Sequence, residues 1–219
     1  VFATTKKRLI LGAMRHDVRR KEARRQDIQD LFTGLFAREI ATLPGDCVAE
    51  LTGPLIVDRG RNIGFCGLTE RCDRQGAEAM HAAFGLDLTF VFELDPAEYH
   101  TNVVMSVLAS RALVIHPPSF RDSGVPPAIA ALYGERVIDL TDAEKAAFAG
   151  NCIALSDRDV WMSTAAAEAL TPQHRADICY QTGPPADRPL QQDYRVPRRR
   201  RSHPRRRGSK EHRENLVGE

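Results

Sequence analysis

The stretch Glu98-Tyr99-His100-Thr101-Asn102-Val103-Val104-Met105 decides how this chain reads. A histidine stands between hydrogen-bonding neighbours, directly ahead of an apolar run that reads as a buried strand over 103–108. An imidazole titrates near neutral pH and so suits proton transfer, although a lone histidine is ordinarily a surface or satisfied core residue. Repetition changes that weighting. Glu50 stands just ahead of Pro54-Leu55-Ile56-Val57, and Asn151 just ahead of Cys152-Ile153-Ala154-Leu155. A polar residue thus recurs about every fifty positions before an apolar strand, the pattern of a repeat architecture presenting one side chain per unit.

The repeated unit is strand, strand, helix, strand. The first has strands at Leu55–Asp58 and Ile63–Cys66 around a turn at 59–62, a helix over Thr69–Phe84 closed by Gly85, and a strand at Leu88–Phe92. The second has strands at Val103–Leu108 and Ala112–Ile115, a helix over Val125–Tyr133 and a strand at Val137–Leu140. The box Thr141-Asp142-Ala143-Glu144 starts a linker helix to Phe148. The third unit opens at Cys152, with Val160–Met162 as its second strand and Ala165–Leu170 as its helix. Unit starts at 54, 103 and 152 are 49 residues apart each time, which predicts an α/β propeller of pseudo-symmetric blades. In such a propeller Glu50, His100 and Asn151 meet in one central cleft, where a carboxylate orients the imidazole and binds a cation. The plainer alternative has all three capping turns and satisfying strand ends. Upstream, Arg8–Met14 reads as a strand and Asp17 as the N-cap of a long helix with Ile28, Leu31, Phe32, Leu35 and Phe36 on its apolar face. The opposite face carries Arg19, Arg20, Lys21, Arg24 and Arg25, a run that could touch nucleic acid, but Glu22, Asp27 and Asp30 are interleaved and a solvated face is preferred.

Composition sets the bounds. The 219 residues suffice for one domain and a small appendage, with 42% hydrophobic residues for a core. No apolar run spans a membrane and no signal peptide opens the sequence, and a first residue Val1 rather than Met points to a processed or incomplete N-terminus. Five cysteines without a close pair fit a reduced, cytoplasmic compartment. Cys66, Cys72 and His100 lack zinc spacing, and no metal or cofactor is expected. Residues 178–219 carry eleven Lys+Arg against five Asp+Glu, and the preceding 177 carry twenty against twenty-four. The expected division is therefore a folded part, 1–177, and an Arg/Pro-rich, aberrant or disordered tail, 178–219.

The segments Ala49-Glu50-Leu51-Thr52-Gly53, Leu55-Ile56-Val57-Asp58-Arg59, Glu98 to Met105 and Phe148-Ala149-Gly150-Asn151 resemble the pentein guanidine-modifying enzymes. The resemblance is to their amidinotransferase and arginine-deiminase-related branch, which includes citrulline-utilisation hydrolases, and it covers Val1 to Ala176. It implies a five-bladed α/β-propeller in which a cysteine thiolate attacks the guanidinium carbon of an arginine-like substrate. His100 would be the general acid/base and Glu50 the carboxylate that orients it and faces the guanidinium. Asn102 would bind substrate where many arginine deiminases carry an aspartate, and Asn151 would line the site.

The resemblance places the nucleophile near the C-terminus in a Gly-rich segment like G-G-S-x-R-C, and the repeat spacing puts the next unit near residue 200. The chain there reads Arg198-Arg199-Arg200-Arg201-Ser202-His203-Pro204, with no cysteine after Cys179. Cys179 lies too early, and Cys152 reads as a small core residue. A first blade, with an acidic residue for the guanidinium, is expected upstream of Val1. The tail reads either as a basic extension able to bind phosphates or as a frameshift in a GC-rich coding sequence. The second is preferred, because the break falls inside a repeat unit. The expectation is thus a guanidino C–N hydrolase or amidinotransferase lineage, incomplete at both ends and inactive as written. A non-catalytic guanidinium-binding protein, or one held to nucleic acid by its tail, is the alternative. The small guanidino substrate is the partner expected, with no membrane.

Overall fold

The computed structural model describes residues 1–182, so the expected tail lies, beyond that point, outside the described residues. The described chain forms four sheets. In the first, β1 (Phe2–Thr4) is antiparallel to β2 (Arg8–Leu11), and β3 (Glu39–Thr42) is parallel to β2. The second repeats that pattern with β4 (Leu55–Asp58), β5 (Ile63–Leu68) and β6 (Leu88–Glu93). The third does so again with β7 (Met105–Leu108), β8 (Ala112–Ile115) and β9 (Val137–Asp139). The fourth is the hairpin of β10 (Ile153–Ala154) and β11 (Val160–Trp161). A parallel third strand needs a crossover, and helices supply it. These are α1 (Asp17–Ala23) and α2 (Gln26–Asp30) in the first sheet, α3 (Arg74–Phe84) in the second and, in the third, the short helix Val125–Ala130. The mixed α/β class and the repeated unit are as the sequence predicts.

Several details differ. Val103 and Val104 do not begin a strand. They belong to a one-turn helix, α4 (Thr101–Val104), and the strand starts at Met105. Both valines are buried, so an apolar run alone does not separate a buried turn from a buried strand. Helix α3 starts at Arg74 rather than Thr69, because Asp73 caps it by accepting from Gly76 N at 2.6 Å. Ahead of it, Thr69 and Cys72 exchange backbone hydrogen bonds in a tight turn. The long helix from Asp17 is broken at Arg24 and Arg25 and ends in a π-helical turn, Leu31–Leu35; Asp17 is its first helical residue, with His16 as the cap. Its apolar face is not core: Leu35 is 70% exposed, and Phe36 packs on Phe32 at 5.5 Å between ring centroids. Strands β1 and β3 were not expected, and they make the first 42 residues a unit of their own. After β9, helix α6 (Asp142–Ala146) carries the full capping box expected at Thr141 and Glu144; α5 is then Val125–Ala130, three residues shorter than expected. In the fourth unit α7 (Thr164–Ala169) is followed by α8 (Pro172–Thr182), which buries Ile178.

The core is three clusters, each joining successive sheets. The first joins Ile10 to Leu55 and Met80, the second Phe65 to Met105 and Ile115, the third Leu108 and Val114 to Cys152 and Ala166. Between the second and third units a buried carboxylate, Asp58, accepts from Gly60 N, Arg61 Nη1 and Tyr133 OH at 3.1, 2.8 and 2.8 Å. Burial alone would raise its pKa, but hydrogen bonds from Ser110, Tyr133 and Arg61 prevail and hold it below the usual carboxylate range.

Candidate active site

The segment bearing Glu50 is pinned on both sides. Ala49 N donates to Ala13 O at 2.8 Å, Glu50 N donates to Arg71 O at 3.2 Å, and Val48 N donates to the Asp73 carboxylate at 2.9 Å. Gly76 lets α3 come close enough for this, since a Cβ there would lie 2.0 Å from Val48 O. Directly after Glu50 the chain turns through Leu51 at φ 55°, a left-handed conformation that costs a β-carbon-bearing residue about 1–2 kcal/mol. The Leu51 side chain is buried, and that burial offsets the strain.

His100 reaches Glu50 from the neighbouring unit. Its loop is anchored upstream where the buried Glu98 accepts from Ser119 Oγ at 2.7 Å and pairs with Lys145. Thr69 Oγ1 donates to Tyr99 O at 2.8 Å, and Asn102 N donates to Gly53 O at 2.9 Å. The result is a hydrogen bond of 3.2 Å between His100 Nε2 and Glu50 Oε2, with the Glu50 side chain 3% and the His100 side chain 17% exposed. Facing a carboxylate, Nε2 carries the proton, so Nδ1 is the ring atom left for a substrate. Burial pushes the His100 pKa below its usual 6.5, against the upward pull of Glu50; Arg71 and Arg19 add to the lowering. The ring is therefore neutral at pH 7.

Arg71 is the residue that sequence reading missed. Its Nη1 lies 3.2 Å from Glu50 Oε2 and 3.4 Å from Oε1, and its Nε bonds Glu70 at 2.9 Å. It lies in the turn ahead of α3 with no repeat partner, so no spacing marks it. Arg15 N completes the shell of Glu50, donating to Oε1 at 3.2 Å. Asn102 sits half-buried two residues past His100, its side chain without a hydrogen bond among the described residues. Asn151 is exposed ahead of β10; its N–H donates to Phe148 O at 3.0 Å, and no hydrogen bond joins it to Glu50 or His100. The structure thus brings Glu50 and His100 together and adds Arg71.

Among the described residues no hydrogen bond joins a cysteine to this pair. Cys47, Cys66, Cys72 and Cys152 are buried, and Cys66 Sγ lies 3.6 Å from Cys72 Sγ. Burial raises the thiol pKa of Cys47 and Cys179, and pushes that of Cys152 up to about 11. Contact with Cys66 and burial raise that of Cys72 as well. Among the described residues no group of three or more His, Cys, Asp or Glu is arranged to hold a metal ion. No described helix is long and apolar enough to cross a membrane.

A repeated strand-strand-helix-strand unit, with a carboxylate and an imidazole meeting across adjacent units, defines a member of the pentein guanidine-modifying superfamily. Within it, the chain belongs to the family described as N,N dimethylarginine dimethylhydrolase, eukaryotic, whose profile matches residues 1–183. No curated protein matches the sequence. Among solved structures it is similar to the N-terminal domain of ArgZ, an arginine dihydrolase from the ornithine-ammonia cycle in cyanobacteria, in a substrate-bound mutant. Identity is 19% and the TM-score 0.63, over 76% of this chain and 61% of that one. It is also similar to a DDAH mutant from Pseudomonas aeruginosa complexed with citrulline, at 19% identity and TM-score 0.61, over 81% and 62%. AgrE in ternary complex with ornithine and NAD+ matches at 21% and 0.60, over 70% and 22%. At such identities the likeness is one of fold, and the chain spans about six-tenths of the ArgZ domain's length.

Proposed function

We propose that this chain carries the acid–base half of a guanidino C–N hydrolase site, with N-methylated arginine or arginine as the substrate class. The observation that carries the reading is the Nε2–Oε2 contact of 3.2 Å between His100 and Glu50, in a chain of the dimethylarginine dimethylhydrolase family. In the reaction a cysteine thiol passes its proton to His100 Nδ1 as its sulfur attacks the guanidino carbon, and the departing amine takes that proton from His100. Water then attacks the amidino-thioether as His100 accepts the water's proton, giving the ureido product and the free thiol. Glu50 holds the ring in its Nε2–H form and lends negative charge toward a guanidinium. Arg71, paired with both Glu50 and Glu70, holds the Glu50 carboxylate in place. Asn102 and Asn151 complete the substrate side, and no cofactor takes part. The fold reading that goes with this is a closed five-bladed propeller, of which the four sheets are four blades. Amidino transfer is the same chemistry with an amine replacing water. A cytoplasmic location fits the odd count of five cysteines.

As this sequence stands, binding without turnover is the outcome to expect, because among the described residues no hydrogen bond joins a cysteine to His100 and four of the five cysteines are buried. That observation also favours the second reading, a non-catalytic guanidinium-binding protein. The test is calorimetric titration with asymmetric dimethylarginine, arginine and citrulline, alongside assays for ureido product and released amine. Glu50→Gln should weaken guanidine binding about tenfold, or about 1.4 kcal/mol. Absence of binding to any guanidino compound would sink the proposal. Turnover abolished by Cys152→Ser or Cys179→Ser would relocate the nucleophile.

A further inference from the structure

We propose that Gly53 and Thr101 are positioning residues for His100, Gly53 by leaving open the space into which the imidazole edge fits and Thr101 by bolting down the turn that follows. The inference rests on the guanidino reading for its functional meaning, and on geometry for its content. A Cβ built on Gly53 would lie 2.7 Å from both His100 Cε1 and Nε2 and 2.9 Å from Cδ2. Those atoms form the ring edge that meets Glu50, so any side chain at position 53 displaces that edge. All three of these nearest atoms belong to the imidazole ring itself. The same glycine's carbonyl accepts from Asn102 N at 2.9 Å, which ties the chain on the far side of His100 to the Glu50 segment.

Thr101 is fully buried and both of its hydroxyl capacities are used. Its Oγ1 donates to Pro54 O at 2.6 Å and accepts from Gly67 N at 2.9 Å. Gly67 N also donates to Pro54 O at 3.1 Å, closing a three-membered knot between β4, β5 and α4. A Cβ at Gly67 would sit 2.5 Å from Thr101 Oγ1, so this approach too is open only to glycine. With its own backbone held on one side and its ring edge on the other, His100 has one orientation open to it. Nε2 meets Glu50, and Nδ1 points away from it.

The experiment uses the full chain, uniformly 15N-labelled, with two-bond histidine spectra followed across pH. His100→Ala identifies the His100 signals among those of the seven histidines. The unsubstituted chain should show the Nε2–H tautomer at His100 and a titration midpoint below that of an exposed histidine. Gly53→Ala should give the mixed tautomer pattern of a released imidazole, and its midpoint should rise, because the ring then leaves its desolvated place. Thr101→Val should act in the same direction and Thr101→Ser, which keeps the hydroxyl, should restore the original pattern. This pair carries the test if Gly53→Ala fails to fold. Gly45→Ala, at a glycine with nothing within 4 Å of an added Cβ, is the control expected to leave the spectrum unchanged. An unaltered His100 tautomer and midpoint in either Gly53→Ala or Thr101→Val overturns the proposal. Altered signals in a chain that binds no dimethylarginine uphold the positioning and defeat the guanidino reading. Binding retained with His100 signals unaltered does the reverse.

Discussion

At the residue scale the site was legible where chemistry and spacing coincided. Glu50 and His100 could be paired from sequence because each precedes an apolar strand in successive units, and the structure joins them at 3.2 Å. Arg71 could not, since its position depends on how a turn folds back on Glu50. Leu51 carries two opposed effects. Leu51→Gly removes a left-handed strain of about 1–2 kcal/mol, but deletes a buried leucine worth about 3 kcal/mol or more with its cavity. Burial wins, so the variant should be less stable by about 1–2 kcal/mol in urea unfolding. His100 makes a pH prediction. Its folded pKa is lowered from 6.5, so the unfolded chain takes up the proton first. Stability is thus undiminished above about pH 6.5 and falls as pH drops through the lowered folded value. Tm measured against pH should show this limb, and His100→Gln should flatten it.

Elements were read well where a full capping box or a hairpin fixed them, and poorly where a single cap residue, as at Asp17 and Asp73, or burial alone spoke. The Thr141–Glu144 box was visible as a four-residue motif, and Glu144 does more than close it. Fully buried, its carboxylate accepts from Thr141 N at 2.8 Å, Thr171 N at 2.8 Å and His174 Nδ1 at 2.8 Å, joining α6 to the start of α8. Burial opposes the charge, yet these bonds hold its pKa down to about 2. Its contribution is therefore present above about pH 4.5 and lost as pH falls toward 2. Glu144→Ala should cost about 3 kcal/mol in denaturant unfolding near neutral pH, because it orphans several buried donors at once. At Gly76 the close approach of α3 to Val48 predicts that Gly76→Ala destabilises by more than about 1 kcal/mol, although alanine is the better helix former. A stabilised variant would show that α3 moves freely away from the Glu50 segment. The π-helical turn at Leu31–Leu35 was hidden for a different reason: its apolar residues keep helical spacing while finding no layer to cover them.

At the scale of the whole molecule, the repeat was read from three polar positions, whereas the structure shows it in four sheets, the first formed by residues that read only as strand and helix. The equal spacing of 49 belonged to the segments ahead of the strands; the strands themselves begin at Leu55, Met105 and Ile153. The three-part core has a kinetic consequence. In β8 the alternating side chains divide between clusters, Leu113 and Ile115 packing into the second and Ala112 and Val114 into the third. Each cluster couples only neighbouring sheets, so local opening passes from unit to unit as in a short array. Amide exchange should therefore be graded along the chain. The β10–β11 hairpin, with Trp161 63% exposed, should exchange first. The amides of β8 cannot open without loosening two clusters together, so they should exchange last and report the stability of the whole array.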